Sequence, residues 1–199
     1  MTRTVLRLSG GLLIVAVLAA LAIMIRTPTT DVPTPLAERP RHADAFRPVF
    51  FFEDLPTMLA TSDAVVRGRV TDVRVVGEGG ADEARYEVHH VTVQVDEVYR
   101  GDAGASVTIE EDGVDTAYSL AGDEGTFFLW QRRDRPEGVF RLTSFQGRYL
   151  RGTGGDIQES GLDSELSSAL EGMTEAQLEA AIHAALPDVL SGKVAPLEP

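Results

Sequence analysis

Two adjacent histidines are the first residues whose type and position could support chemistry. His89 and His90 lie in a segment that alternates apolar and polar residues, which is typical of a β-strand. Neighbouring side chains of a strand point to opposite faces of the sheet, so these two imidazoles cannot bind one metal ion together. The remaining histidines, His42 and His183, form no His-x3-His pair. We therefore predict no zinc site from the histidine pattern.

The densest acidic segment is Glu110–Asp115. Its oxygens could bind Ca²⁺ in a turn, but the segment lacks the alternating acid spacing and the distal glutamate of an EF-hand loop. We interpret it as a solvated hairpin turn, which could also contact a cationic partner. The chain has 31 acidic residues, so carboxylate pairs arise by chance and none can be assigned to acid–base catalysis.

Other short motifs are too weak to indicate a site. The Gly-rich segment Arg151–Asp156 has no Gly-Lys-Ser/Thr, so it does not predict phosphate binding. The segment Arg100–Asp102 fits a turn between strands, and no Gly-x-Ser-x-Gly motif occurs. The absence of cysteine excludes disulfides, thiolate metal sites and cysteine nucleophiles. We predict no catalytic residue, cofactor site or metal site.

Charge argues against nucleic acid as a partner. The chain has a formal charge of −13, and residues 1–26 contain three arginines and no acid, so the remainder carries −16. Such a surface repels phosphate backbones. Aromatic side chains that could stack on bases are therefore interpreted as core residues packed on both faces of a strand. These aromatic residues are Phe127, Phe128, Trp130 and Phe140.

An uncharged apolar segment near the N-terminus predicts a membrane helix. Residues 8–25 carry no charge and are long enough, at 18 residues, to span a bilayer. Arg3 and Arg7 precede the segment, which favours a cytoplasmic N-terminus with the bulk of the chain outside. Ala20–Ala22 has the small-x-small pattern of signal-peptide cleavage, so a secreted form is the alternative. Either interpretation exports the remainder.

The central part of the chain has the pattern of a small β-barrel or sandwich. Asp54 is a predicted N-cap for a short helix over residues 55–62, and the strands come next. In the first strand the alternation changes phase after Asp72, which predicts a bulge or a bend. We expect a turn over residues 77–82. The predicted strands are residues 64–76, 86–99, 106–109 and 126–130 and a fifth strand that starts with residues 139–142 and ends before Gly147, with a short extra strand over 147–150.

The C-terminal part switches to helical spacing. Residues 162–170 predict a first helix, which Gly172 ends. Thr174 and Gln177 form a capping box for a second helix, which we expect to end at Pro187. The two helices are predicted to form a hairpin docked on the barrel. The buried stripe of the second helix is expected to be Leu178, Ala181, Ile182 and Leu186.

Four motifs in this order resemble a group of bacterial exported proteins with an OB-like barrel, similar to the fold of tissue inhibitors of metalloproteinases and netrin modules. The resemblance covers about residues 54–152 and implies a fold and an extracytoplasmic interaction role. It transfers no activity, because the inhibitors act through an N-terminal cysteine that has no counterpart here. The motifs are Ser62–Val70, Val93–Gly101, Gly122–Trp130 and Gln146–Tyr149.

The expected fold is mainly β with α: an N-terminal transmembrane helix, a five-stranded OB-like small β-barrel and a C-terminal helical hairpin. Residues 1–26 are the anchor or signal segment, and residues 27–48, with five prolines, are a semi-rigid linker. The barrel is expected over residues 49–155. The hairpin and tail are expected over residues 156–199.

The function predicted from this layout is a membrane-anchored extracytoplasmic binding module without evident catalysis. Its partners would be the membrane, through residues 8–25, and an envelope protein or a cell-wall component. Two alternatives remain open at this stage. One is a carboxylate-dependent envelope hydrolase, which would need two facing carboxylates in a cleft. The other is a structural accessory subunit of a membrane complex.

Overall fold

The described part of the chain is mainly β, with a ring of five strands and helices at its C-terminal end. The computed structural model describes residues 51–79, 86–113, 119–131, 136, 138–144, 146–159 and 165–197. The predicted anchor and linker lie outside these residues. Within the part that is described, no helix combines the length and the apolar character needed to cross a membrane.

Ten elements follow one another in the described part of the chain. A short helix comes first, seven strands form one sheet, and two helices end the described part. The elements are α1 (Leu55–Thr61), β1 (Ala64–Gly79), β2 (Tyr86–Arg100), β3 (Ser106–Gly113), β4 (Glu124–Gln131), β5 (Val139–Leu142), β6 (Arg148–Arg151), β7 (Ile157–Glu159), α2 (Glu165–Leu170) and α3 (Glu175–Leu190).

The first five strands close into a ring. The order is β1-β2-β3-β5-β4, and β4 returns to pair with β1. β1 is antiparallel to both of its neighbours, and β3 and β5 are the parallel pair. β6 and β7 add to the sheet beside β4. Mainly β architecture with C-terminal helices therefore agrees with the sequence prediction.

Two apolar clusters lie on opposite sides of the same strands. Val66 and Phe127 point into the ring, where they pack with the valines of β2. Their neighbours Val65 and Phe128 point outward and pack with the helices. Adjacent side chains of β1 and β4 thus belong to two different clusters. This agrees with the prediction that the aromatic residues pack on both faces of their strand. The outer cluster includes Leu55, Met58 and Leu59 of α1, Leu166 and Leu170 of α2, and Leu178, Ile182 and Val189 of α3.

β1 is bent and longer than predicted. Its register with β2 shifts between Val70 and Asp72, which confirms the predicted irregularity. The predicted turn over residues 77–82 is wrong at its start, because Gly77 and Gly79 still pair with β2, opposite Val88 and Tyr86. A second register shift just before Gly77 lets the ladder continue through the glycines.

α1 begins and ends at side chains that satisfy its free backbone groups. The Asp54 carboxylate accepts a hydrogen bond from the Thr57 amide at 2.7 Å, so the predicted N-cap is confirmed. At the other end, the Arg100 guanidinium donates to the carbonyls of Leu59, Ala60 and Ser62. Arg100 therefore places a positive charge at the helix C-terminus. Partial burial lowers its pKa.

α3 is the longest of the helices that the structure describes, and it packs against α1. The predicted capping box is present, since Thr174 and Gln177 bond each other's backbone amides. The predicted end at Pro187 is wrong, because the helix continues to Leu190. A proline removes one hydrogen bond of the helix, but buried Val189 holds the last turn on the outer core, and the Ser191 amide donates to Pro187 O at 3.1 Å.

The predicted solvated turn at Glu110–Asp115 is also wrong. Glu110 and Glu111 are buried within β3, and residues 114–118 lie outside the described residues. The Glu111 carboxylate accepts hydrogen bonds from Arg148 Nη1 at 2.9 Å and from the Ser119 amide and hydroxyl, both at 2.9 Å. Arg148 is only 2% exposed. Arg148, which comes from a later strand, therefore compensates the negative charge of Glu111 inside the fold.

We expect Glu111→Leu to lower the free energy of unfolding by about 3–5 kcal/mol, because it leaves the Arg148 charge buried without this carboxylate. The measurement is urea denaturation. The double variant Glu111→Leu/Arg148→Met should be more stable than the single one, since both charges are gone. The control is Arg74→Ala, which breaks an exposed pair with Asp72 and should cost at most about 1 kcal/mol. Equal stabilities of the single variant and the control would contradict this account.

Candidate functional site

The structure separates the two histidines that the sequence places side by side. His89 Nε2 lies 3.0 Å from Glu87 Oε2, and His90 Nε2 lies 3.6 Å from Glu110 Oε2. His89 is buried with the inward side of β2, whereas His90 is partly exposed. The two imidazoles therefore contact different carboxylates and do not share a site.

The Gly-rich segment and the aromatic residues lie in turns and in the cores of the fold. Residues 152–156 form the turn between β6 and β7, in which the Gly152 amide donates to Asp156 O at 2.7 Å. Phe127, Phe128 and Phe140 are buried in the two cores, and Trp130 is partly exposed. Arg100 is the last residue of β2 and is engaged with α1, and Gly101 and Asp102 follow it between β2 and β3.

A cluster of charged and aromatic side chains forms where α3 crosses the sheet. We call it the helix–sheet seam and define it by six residues. Those from α3 are separated by four positions, so they lie along one face of the helix. The three from the sheet come from β1 and β2, where Arg67 and Glu97 are opposite each other. The seam consists of Arg67, Glu97, Tyr99, Glu175, Glu179 and His183.

Carboxylates outnumber guanidinium groups in the seam. Arg67 lies between three carboxylates, with its nitrogens 3.2 Å from Glu97 Oε2, 3.8 Å from Glu175 Oε1 and 3.7 Å from Glu179 Oε2. Arg151 of β6 pairs with Glu175 from the other side, and this carboxylate raises the pKa of Arg151. Arg151 also pairs with Glu124 at 2.9 Å, so within the defined seam the guanidinium group of Arg67 faces three carboxylates.

Tyr99 is a buried polar side chain at the base of the seam. It is 9% exposed, and its hydroxyl has no hydrogen-bond partner among the residues that the structure describes. Its ring meets the His183 ring edge-on, with centroids 5.6 Å apart. Burial raises the pKa of Tyr99, and the nearby charge of Glu97 raises it further. The hydroxyl thus faces the seam carboxylates without bonding to any of them.

Three seam residues could hold a metal ion. One donor atom each from Glu97, Glu179 and His183 lies within 4.8 Å of the other two. Sequence reasoning missed this set, because it tested His-x3-His spacing and not Glu-x3-His. The pair Glu179 and His183 was visible as i and i+4 on a predicted helix. The third donor, Glu97, comes from a strand more than 80 positions earlier, and no local pattern connects it with the helix.

A second exposed feature is the distal ribbon, which we define as residues 72–79 of β1 with the paired residues 86–92 of β2. Beyond Val70, where β4 and the loop before it end their contact, β1 pairs only with β2 among the described strands. Val75 and Val76 are adjacent and are 56% and 48% exposed. Val76 is the extra residue of the register shift between Val75 and Gly77, so the ribbon presents its apolar surface at this irregularity.

No family model matches this chain, and no curated protein matches it.

We expect Tyr99→Phe to raise the free energy of unfolding by about 1 kcal/mol in the presence of a chelator, because it removes a buried hydroxyl that has no partner. Urea denaturation measures the change. The matched control is Ser62→Ala, since the buried Ser62 hydroxyl donates to Met58 O at 2.8 Å and lies 2.9 Å from Thr143 Oγ1. That variant should lose about 1 kcal/mol. A loss of stability in both variants would show that the Tyr99 hydroxyl is bonded in the folded protein.

Proposed function

We propose that this protein is a membrane-anchored extracytoplasmic interaction module built on an OB-like barrel. Its distal ribbon is the surface that binds a partner, and the partner is an extended, basic segment of another envelope protein. The observation that carries the proposal is the exposed apolar edge at Val75 and Val76.

The N-terminal sequence supports the anchored location. Residues 8–25 are uncharged and follow two arginines, which favours export of everything after them. Residues 27–48 hold five prolines, which would act as a spacer between the bilayer and the folded part. The closed strand order β1-β2-β3-β5-β4 supports the OB-like barrel, a partly open five-stranded architecture.

The ribbon has the features of a strand-addition site. An unpaired strand edge offers free backbone amides and carbonyls, which an extended peptide can pair with. Exposed valines on the same strand add apolar contacts for the side chains of that peptide. β1 has a register shift on each side of Arg74, and such irregularities limit uncontrolled pairing with a second copy.

Charge favours a basic partner. The chain beyond residue 26 carries −16, so a cationic segment is attracted and an anionic one is repelled. Glu78 and Glu87 lie opposite each other in the ribbon and place negative charge next to the valines. The partner segment therefore combines apolar residues with lysine or arginine.

The binding surface can be tested with a photo-crosslinking amino acid at Val75 or Val76 of the full chain in membranes of its own cells. We expect one adduct of defined mass at both positions, because the partner covers the ribbon. Leu190, at 74% exposure on α3, is the matched control and should give no adduct of that mass. Adducts of equal yield at all three positions would contradict the proposal.

The anchor is tested by extracting membranes with alkaline carbonate. The full chain should stay in the pellet, whereas a variant without residues 8–25 should remain in the cytoplasmic fraction, because the segment provides both export and attachment. N-terminal sequencing of the mature protein is the accompanying measurement. A mature chain that begins near Ile23 and appears in the soluble extracytoplasmic fraction would overturn the anchor and leave export intact.

A further inference from the structure

The helix–sheet seam contains a set of metal-ligating side chains that the interaction surface does not use. Glu97 belongs to β2, and Glu179 and His183 are one turn apart on α3. Their side chains are 35%, 35% and 54% exposed, so a cation can reach them from solvent. A bound ion would connect the C-terminal helix to the sheet.

The spacing of the donor atoms suits a small divalent ion. The three atoms lie within 4.8 Å of one another. A tetrahedral zinc ion with bonds of about 2.0–2.2 Å holds its ligands about 3.4 Å apart. Side-chain rotations that draw the donors together by about 1–1.5 Å reach that geometry. Both glutamates have unbranched side chains that can make such a movement.

Tyr99 is an independent indication of a ligand. More than nine-tenths of this residue is buried, and its hydroxyl lacks a partner in the described part of the chain. Its ring meets the ring of His183 edge-on, and the nearby charges of Glu97 and Glu179 contribute to its raised pKa, so Tyr99 lies next to the same three donors. Three protein ligands leave the fourth position of a tetrahedral zinc ion to water. A water on the ion would give the Tyr99 hydroxyl the hydrogen bond that it lacks.

The charges of the seam fit a cation. Arg67 balances Glu97 and Glu179 at 3.2 and 3.7 Å, but a third carboxylate, Glu175, also lies within reach at 3.8 Å. When a cation binds Glu97 and Glu179, Arg67 can keep its pair with Glu175. Arg67 is thus the group that a cation displaces, and it keeps the carboxylates together before the ion arrives.

The donor set also determines the class of ion. Calcium prefers six to eight oxygen ligands, and magnesium prefers octahedral oxygen coordination with several waters. One imidazole and two carboxylates suit zinc and neighbouring first-row ions. We infer that Glu97, Glu179 and His183 form a binding site for a divalent transition-metal cation of the zinc type, which fastens α3 to β2.

Isothermal titration of the chelator-stripped full chain in detergent with ZnCl₂, at about pH 7.5, tests the site. We expect one Zn²⁺ per chain and a higher melting temperature with the ion, because the ion binds only the folded seam. His183→Ala and Glu97→Gln should each weaken binding at least tenfold. Tyr99→Phe should weaken it less. CaCl₂ and MgCl₂ should give no comparable binding.

His90→Ala is the matched control, because His90 is a histidine of the same strand as Glu97 and lies beside Glu110, outside the seam. It should bind Zn²⁺ like the unmodified chain. Circular dichroism checks that each variant is folded, and His183 is exposed enough for its loss to be tolerated. Unchanged affinity in both seam variants, or a loss confined to His90→Ala, would overturn the inference. Either result leaves the distal ribbon proposal unaffected, since no seam residue belongs to the ribbon.

Discussion

Where β1 and β4 pair with each other, both strands are buried on both faces, and the rest of the structure depends on that constraint. β1 and β4 place Val66 and Phe127 inside the ring and Val65 and Phe128 outside it. The outward residues need a cover, because exposed side chains of this size would cost about 1.5–3 kcal/mol each in lost burial. The helices supply that cover. Their position is therefore set by the outward residues of the sheet together with the contacts between α1 and α3.

The same constraint creates the helix–sheet seam. The apolar stripe of α3, with Leu178 and Ile182, packs on the outer core. The adjacent face of the helix therefore lies against β1 and β2. That face bears Glu179 and His183, and the strands offer Arg67 and Glu97 there. Packing of an apolar stripe thus brings together ionisable groups that are far apart in the sequence. A cation bound in the seam would add to the apolar contacts that hold α3 on the sheet.

Local patterns predicted much of the fold and little of the seam. The capping box at Thr174, the irregularity after Val70 and the two-sided burial of Phe127 and Phe128 are local properties of backbone and periodicity. The acidic run is a strand and not the predicted solvated turn, because the buried Glu111 carboxylate pairs with an arginine that lies 37 positions later in the sequence. Glu97 and His183 meet only after the helix docks, so their proximity depends on tertiary packing. Glu-x3-His spacing on α3 was the one local signal available.

Anomalous scattering at the zinc absorption edge, from crystals of the full chain grown with ZnCl₂, tests the account most directly. One strong peak is expected between Glu97, Glu179 and His183, at bond lengths of about 2.0–2.2 Å, with Arg67 moved onto Glu175. Docking of α3 on the two-sided strands should be unchanged. A peak at His90 and Glu110 instead, or Arg67 still bridging Glu97 and Glu179 in the presence of excess zinc, would contradict it.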